Sequence, residues 1–120
     1  MSNKESAMAF LNLSALGKSK EAFDTFTSDD FIHHNQYFKG SREALLKAIE
    51  EDHKTNPNKS IEVIKCYEEK DTVITHSHVI KHDMEIAVVH IFRFEKEKVV
   101  ELWDLGQIIE KDCLNENGLF

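Results

Sequence analysis

Hydrophobic residues recur at helical spacing in the first half of the chain and at alternate positions after about residue 60. Ala7, Phe10, Leu11, Leu13 and Leu16 make one apolar stripe, Gly17 interrupts it, and Ala22, Phe23 and Phe26 resume it within Glu21–Phe26. Ser28 or Asp29 is placed to cap a short turn carrying FIHHN. The segment KGSREALLKAIEEDHK gives the clearest helix, with Ser41 as its cap and Ala44, Leu45, Ala48 and Ile49 on one face. The only proline, in TNPNKS, ends it. Beyond it, IEVIKCY, TVITHSHVI, EIAVVHIFRF and KVVELWDLGQII read as four strands joined by EEKD, KHDM and EKEK. Such short connections make antiparallel hairpins. Helices first and a meander afterwards predict an α+β fold, with N-terminal helices packed on a strongly curved antiparallel sheet. Residues 1–120 are expected to be a single domain, without repeats or low-complexity tracts.

Residues two apart on a strand share a face. His76 and His78 therefore point the same way, as do Ile86, Val88, His90, Phe92 and Phe94 on the next strand, and Val100, Leu102 and Asp104 on the last. If these faces coincide, an apolar concave surface carries His76, His78, His90 and Asp104. Greasy walls with a few convergent polar groups are how small-molecule pockets are built. The coincidence depends on the last hairpin. A three-residue loop, Glu95 to Glu97, puts Asp104 on the side of His90, whereas a two-residue loop at Lys96-Glu97 puts it on the other.

Composition narrows the function classes. Apolar residues make up 41% and charged residues 31%, a globular rather than a disordered mixture. A formal charge of −7 leaves no basic excess for tracking nucleic-acid phosphates, so no nucleic-acid partner is expected. Cys66 and Cys113 stand far apart, outside any CxxC pair, which fits free thiols in a reducing compartment. Charged and polar residues interrupt the N-terminal stretch too often for a signal peptide, and no apolar run approaches the roughly 20 residues of a membrane helix. The expectation is a soluble, cytoplasmic protein with no membrane partner.

The stretches VVHIFRFEKEKVVELWDLGQ and FIHHNQYFKGSREALLKAI, with THSHV and the closing ENGLF, resemble the SnoaL-like polyketide cyclases of the NTF2-like, cone-shaped superfamily. More narrowly, they are similar to a subgroup described as aldol-condensation enzymes. The resemblance runs from about Asp30 to Phe120 and rests on the order and spacing of the motifs. It implies an NTF2-like cone, and a catalytic acid/base at Asp104 with a partner histidine at His90. It also implies a polar pair, His34 and Asn35, on the pocket floor, and a homodimer formed through the outer face that carries Val89, Ile91 and Trp103. The chain departs from the family pattern where Lys96-Glu97 replaces an Asn-Gly or Asp-Gly turn, where Gln36 replaces a proline, and at His90, where the subgroup more often has aspartate.

The chemistry expected is cofactor-free proton transfer on a small apolar or carbonyl-containing ligand, as in aldol cyclisation or isomerisation. Asp104, packed among Val100, Leu102 and Trp103, would have its pKa raised by desolvation toward the useful range. His90 would hydrogen-bond an enolate oxygen, and His34, Asn35, His76, His78, Phe92 and Leu102 would line the pocket. His-x-His at 76 and 78 is also a metal-ligand spacing, which Asp104 or His90 could complete. The glycines of a β-barrel metal site are absent, so no metal is expected. A non-catalytic binding module is the alternative.

Overall fold

The computed structural model describes residues 1–120. Three helices, α1 (Asn3–Ala15), α2 (Ser19–Phe26) and α3 (Arg42–Thr55), accompany five strands. These are β1 (Thr27–His34), β2 (Asn58–Glu69), β3 (Thr72–Lys81), β4 (Glu85–Glu95) and β5 (Lys98–Ile108). They form one open sheet in the order β1-β5-β4-β3-β2, antiparallel except for β1, which runs parallel to β5. The α+β architecture is thus the one the hydrophobic pattern implies. The expected turn at FIHHN is overturned: Phe31 to His34 end β1, with Phe31 and His33 buried and Ile32 and His34 exposed, and Asn35 follows the strand.

Local chemistry explains the helices. Ser2 caps α1 through the Glu5 amide, and Glu5 reaches back to the Ser2 amide in a capping box. Gly17 takes φ +85 between α1 and α2, where any side chain would meet the His53 ring. Ser41 caps α3 through the Ala44 amide, as its sequence suggests. The helices bury Ala7, Phe10, Leu11, Phe23 and Leu45 against Val73, Phe92, Phe94, Val99 and Leu102 on the inner face of the sheet. Where α3 ends, the buried Lys81 ammonium holds Asp52 Oδ2 at 2.7 Å, Asn58 Oδ1 at 2.7 Å and the Asn56 carbonyl at 3.0 Å. No helix is long and apolar enough to cross a membrane.

Two connections decide which residues face inward. Between β3 and β4 the ladder closes at Ile80 opposite Glu85 around the four residues 81–84. Thr75 therefore faces His90, while His76 faces Val89 and His78 faces Ala87. The expectation that His76 and His78 share a face with His90 is overturned by this pairing. Between β4 and β5 the turn is the two-residue one, with Glu95 opposite Lys98 and both Lys96 and Glu97 at positive φ, 49 and 69. By itself that turn would send Asp104 outward. A β-bulge reverses the outcome: Phe94 pairs with Val99 but Arg93 pairs with Glu101, so Val100 is an extra residue. Beyond it His90 stands directly opposite Asp104.

A two-residue hairpin turn with two positive φ angles favours Asn-Gly, and each non-glycine residue held there costs on the order of 1 kcal/mol. Replacing Lys96-Glu97 by Asn-Gly should stabilise the protein by about 1 kcal/mol or more, read as a higher urea midpoint at unchanged m-value. An unchanged or lower midpoint would show that the turn carries no strain.

Candidate functional site

The inner faces of β4 and β5 meet the segment after β1 at Asp104. Its Oδ1 lies 3.2 Å from His90 Nε2, and its Oδ2 accepts from the Asn35 side-chain amide at 3.0 Å. Asn35 is itself held, because its Oδ1 accepts the Tyr37 backbone N–H at 2.8 Å, which turns the NH₂ end toward Asp104. Asp104, His90 and Asn35 line a cavity of about 1800 Å³ between α1, α3 and the sheet, with Phe10, Leu45, Ile61, Val88 and Leu102 among its apolar walls. The neighbouring His33 is buried, and its Nε2 donates to the Lys39 carbonyl at 2.6 Å.

The electrostatics differ from the sequence expectation. Burial does push the Asp104 carboxyl up, but the His90 contact and charge, the Asn35 amide and the more distant His33 outweigh it. The net direction is downward, below the ordinary aspartate range. The anticipated rise fails because the neighbouring His90 and Asn35 side chains together outweigh the burial. At neutral pH Asp104 is therefore ionised, an acceptor of protons rather than a donor.

The remaining histidines divide by face. His34, expected on the pocket floor, lies outside: it stacks on Trp103 with ring centroids 4.7 Å apart, and its Nε2 meets Glu101 Oε2 at 2.6 Å. β1 pairs His33 with Leu102 and His34 with Trp103, so His33 takes the inward position. His76 and His78 are on the outer face under Phe120, with centroids at 5.1 and 4.9 Å, and His78 Nε2 contacts Glu85 Oε1 at 2.6 Å. A smaller cavity of about 320 Å³ opens beside His76, lined also by Val89, Leu105 and Leu119. Leu102 reaches the main cavity, whereas Phe92 is fully buried and packs edge-on against Phe10. No three His, Cys, Asp or Glu side chains converge as a metal-ligand set.

The profile of the SnoaL-like polyketide cyclases matches residues 7–110, a span that takes in Asn35, His90 and Asp104. The chain belongs to this family. Among solved structures, this SnoaL-like chain is similar to an NTF-2 like protein of unknown function from Burkholderia xenovorans LB400, with a TM-score of 0.72 and 21% identity over 88% of this chain and 82% of that one. It is similar to TsrD from Streptomyces laurentii, at TM-score 0.72 and 14% identity over 88% of each chain. An LEH-like epoxide hydrolase of M. tuberculosis aligns at TM-score 0.65 and 14% identity, over 88% of this chain and 82% of that one. At such identities the likeness establishes the NTF2-like fold and not the reaction. A search of curated proteins found no match.

The structure brings Asp104, His90 and Asn35 together at one cavity and turns His33 rather than His34 inward. The signal available for His33 was its place two residues after Phe31, the most apolar position of β1 to be buried.

A folded pKa below the unfolded one adds stability that is fully present above the unfolded value, near 3.9 for aspartate, and is lost as pH falls through the lowered value. In Asp104→Asn this contribution is gone. Its stability relative to the parent should therefore be lowest at neutral pH and recover as pH falls below about 4. Urea unfolding of both proteins from neutral to acid pH measures the difference. A gap that stays constant across the range would mean that the carboxylate is not held ionised by its neighbours.

Proposed function

We propose that this SnoaL-like protein catalyses proton transfer on a small carbonyl compound without a cofactor, most simply an intramolecular aldol closure. The observation that carries the proposal is the Asp104 carboxylate, flanked by His90 and Asn35 and facing a large apolar-walled cavity. Asp104 removes a proton from the carbon beside a carbonyl. The enolate carbon then bonds to a second carbonyl carbon, and the proton returns from Asp104 to the new alkoxide oxygen. Nothing is oxidised or reduced, and one carboxyl group serves as base and then as acid.

The downward pKa of Asp104 restricts the substrate. A carboxylate held below its ordinary pKa is a weak base but, once protonated, a good acid. It suits a carbon whose proton is already acidified, as between two carbonyl groups, better than one beside a lone ketone. Asn35 has a second amide N–H with which it can bond an enolate oxygen next to Asp104. Tightening on developing negative charge is the stabilisation such a step needs. The outer face, with Ile74 and Leu105 exposed and Trp103 beside them, supports pairing of two copies through that surface. Light scattering at micromolar concentration should then report twice the chain mass, and the chain mass alone would argue against pairing.

Asp104→Asn keeps the shape but cannot cycle a proton. With a β-dicarbonyl substrate, its turnover should fall by roughly 10² to 10⁴ while ligand affinity changes little. The competing reading is a module that binds such a compound without converting it. It would be favoured by tight binding without turnover in the parent, with affinity responding to Leu102 rather than to Asp104.

A further inference from the structure

The inner face of β3 reads Val73, Thr75, Ser77, Val79 and ends at the buried Lys81, so two hydroxyls sit between two valines. Thr75 and Ser77 are both 0% exposed, and neither hydroxyl has a partner in the chain. Burying an unpaired hydroxyl is unfavourable, and valine would fill the position of Thr75 with the same branched shape and no such cost. Directly opposite Thr75 in the ladder stands His90. Its Nε2 faces Asp104, and its Nδ1 is likewise buried and without a partner. Paired residues on one face of an antiparallel ladder hold their Cβ atoms about 4.5–5.5 Å apart. The hydroxyl and the ring nitrogen are therefore within one side-chain rotation, or one bridging water, of each other. Ser77 stands opposite Val88, which offers no acceptor.

We propose that Thr75 is a positioning residue for His90: its hydroxyl donates to Nδ1, directly or through one water, and keeps the ring proton on Nε2. A neutral imidazole has one N–H and one lone pair, and the bond made at one nitrogen fixes which is which. With the proton on Nε2, His90 donates to Asp104. With the proton on Nδ1, a lone pair would face the carboxylate, and the Thr75 hydroxyl would turn to accept rather than donate, so the bond to Asp104 would be lost. Thr75 thus acts on the reaction through His90 and touches neither substrate nor Asp104. The inference rests on the Asp104–His90 pair being the reacting pair, but its test reads the ring and not turnover.

Two-bond ¹H–¹⁵N spectra of histidine-labelled protein, at a pH where the ring is neutral, report the tautomer and whether the bare nitrogen is hydrogen-bonded. His90→Gln identifies the His90 signals. In the parent, His90 should show a protonated Nε2 and a hydrogen-bonded, pyridine-like Nδ1. Thr75→Val should move Nδ1 toward the unbonded position or mix the tautomers, Thr75→Ser should restore the parent pattern, and Ser77→Ala should leave it unchanged. Thr75→Ala supplies a second hydroxyl-free chain should the valine variant fold poorly. A parent ring protonated at Nδ1, or one whose pattern survives both hydroxyl-free variants, would overturn the inference. Asp104-dependent turnover alongside a Thr75-insensitive ring would overturn it while leaving the proposed function standing. A Thr75-dependent ring in a protein that turns over no carbonyl compound would do the reverse.

Discussion

One residue of slack in β5 organises this protein. The turn at Lys96-Glu97 fixes one register and the apolar faces of β4 and β5 demand another, and Val100 absorbs the mismatch as a bulge. Without it, Leu102 would leave the core and Asp104 would leave the cavity. Both stay because burying Val99, Leu102, Phe92 and Phe94 together is worth several kcal/mol, far more than one irregular ladder position costs. The carboxylate is placed by hydrophobic packing, and its chemistry follows from that placement.

Once inside, Asp104 is governed by competition between burial and donors. Apolar walls alone would favour a neutral acid. The Asn35 amide donates to Oδ2, the His90 ring stands 3.2 Å from Oδ1, and together they keep the carboxylate charged. The donors come from different parts of the chain: His90 from the neighbouring strand and Asn35 from the segment just past β1. That segment is anchored by the His33 amide on the Gly40 carbonyl and by the His33 ring on Lys39. A residue that makes no direct contact with Asp104 thereby helps hold the loop that does.

How much of this could be read in the chain depended on how local the determinants were. The helices were legible because their caps and stripes lie within a few residues of one another, as at Ser41 and Ala44. Three of the hairpin strands and most of the fourth were legible from alternation. β1 was not, because only a few of its residues pair, at one edge, with a strand nearly seventy positions away. Face assignment needed loop parity and a bulge, neither of which alternation reveals. His76 and His78, two apart and conspicuous in sequence, consequently turned out to face away from Asp104. The family pattern groups Asp104, His90 and Asn35, which do lie together at the cavity, but selects His34 where the sheet turns His33 inward.

The Lys81 cluster bears on how a ligand could reach the cavity. Lifting the end of α3 off the sheet would strip a buried ammonium of a carboxylate, an amide oxygen and a carbonyl at once. Water would then solvate the ammonium, but three well-placed bonds would be given up together. That flank of the cavity is tied to the sheet by these bonds. On the opposite flank, Tyr37 and Phe38 stand 76% and 45% exposed on the short segment that also carries Asn35. Tyr37 and Phe38 line the cavity on the same segment as the amide that grips Asp104, so any shift of that segment would move a cavity wall and a carboxylate donor together.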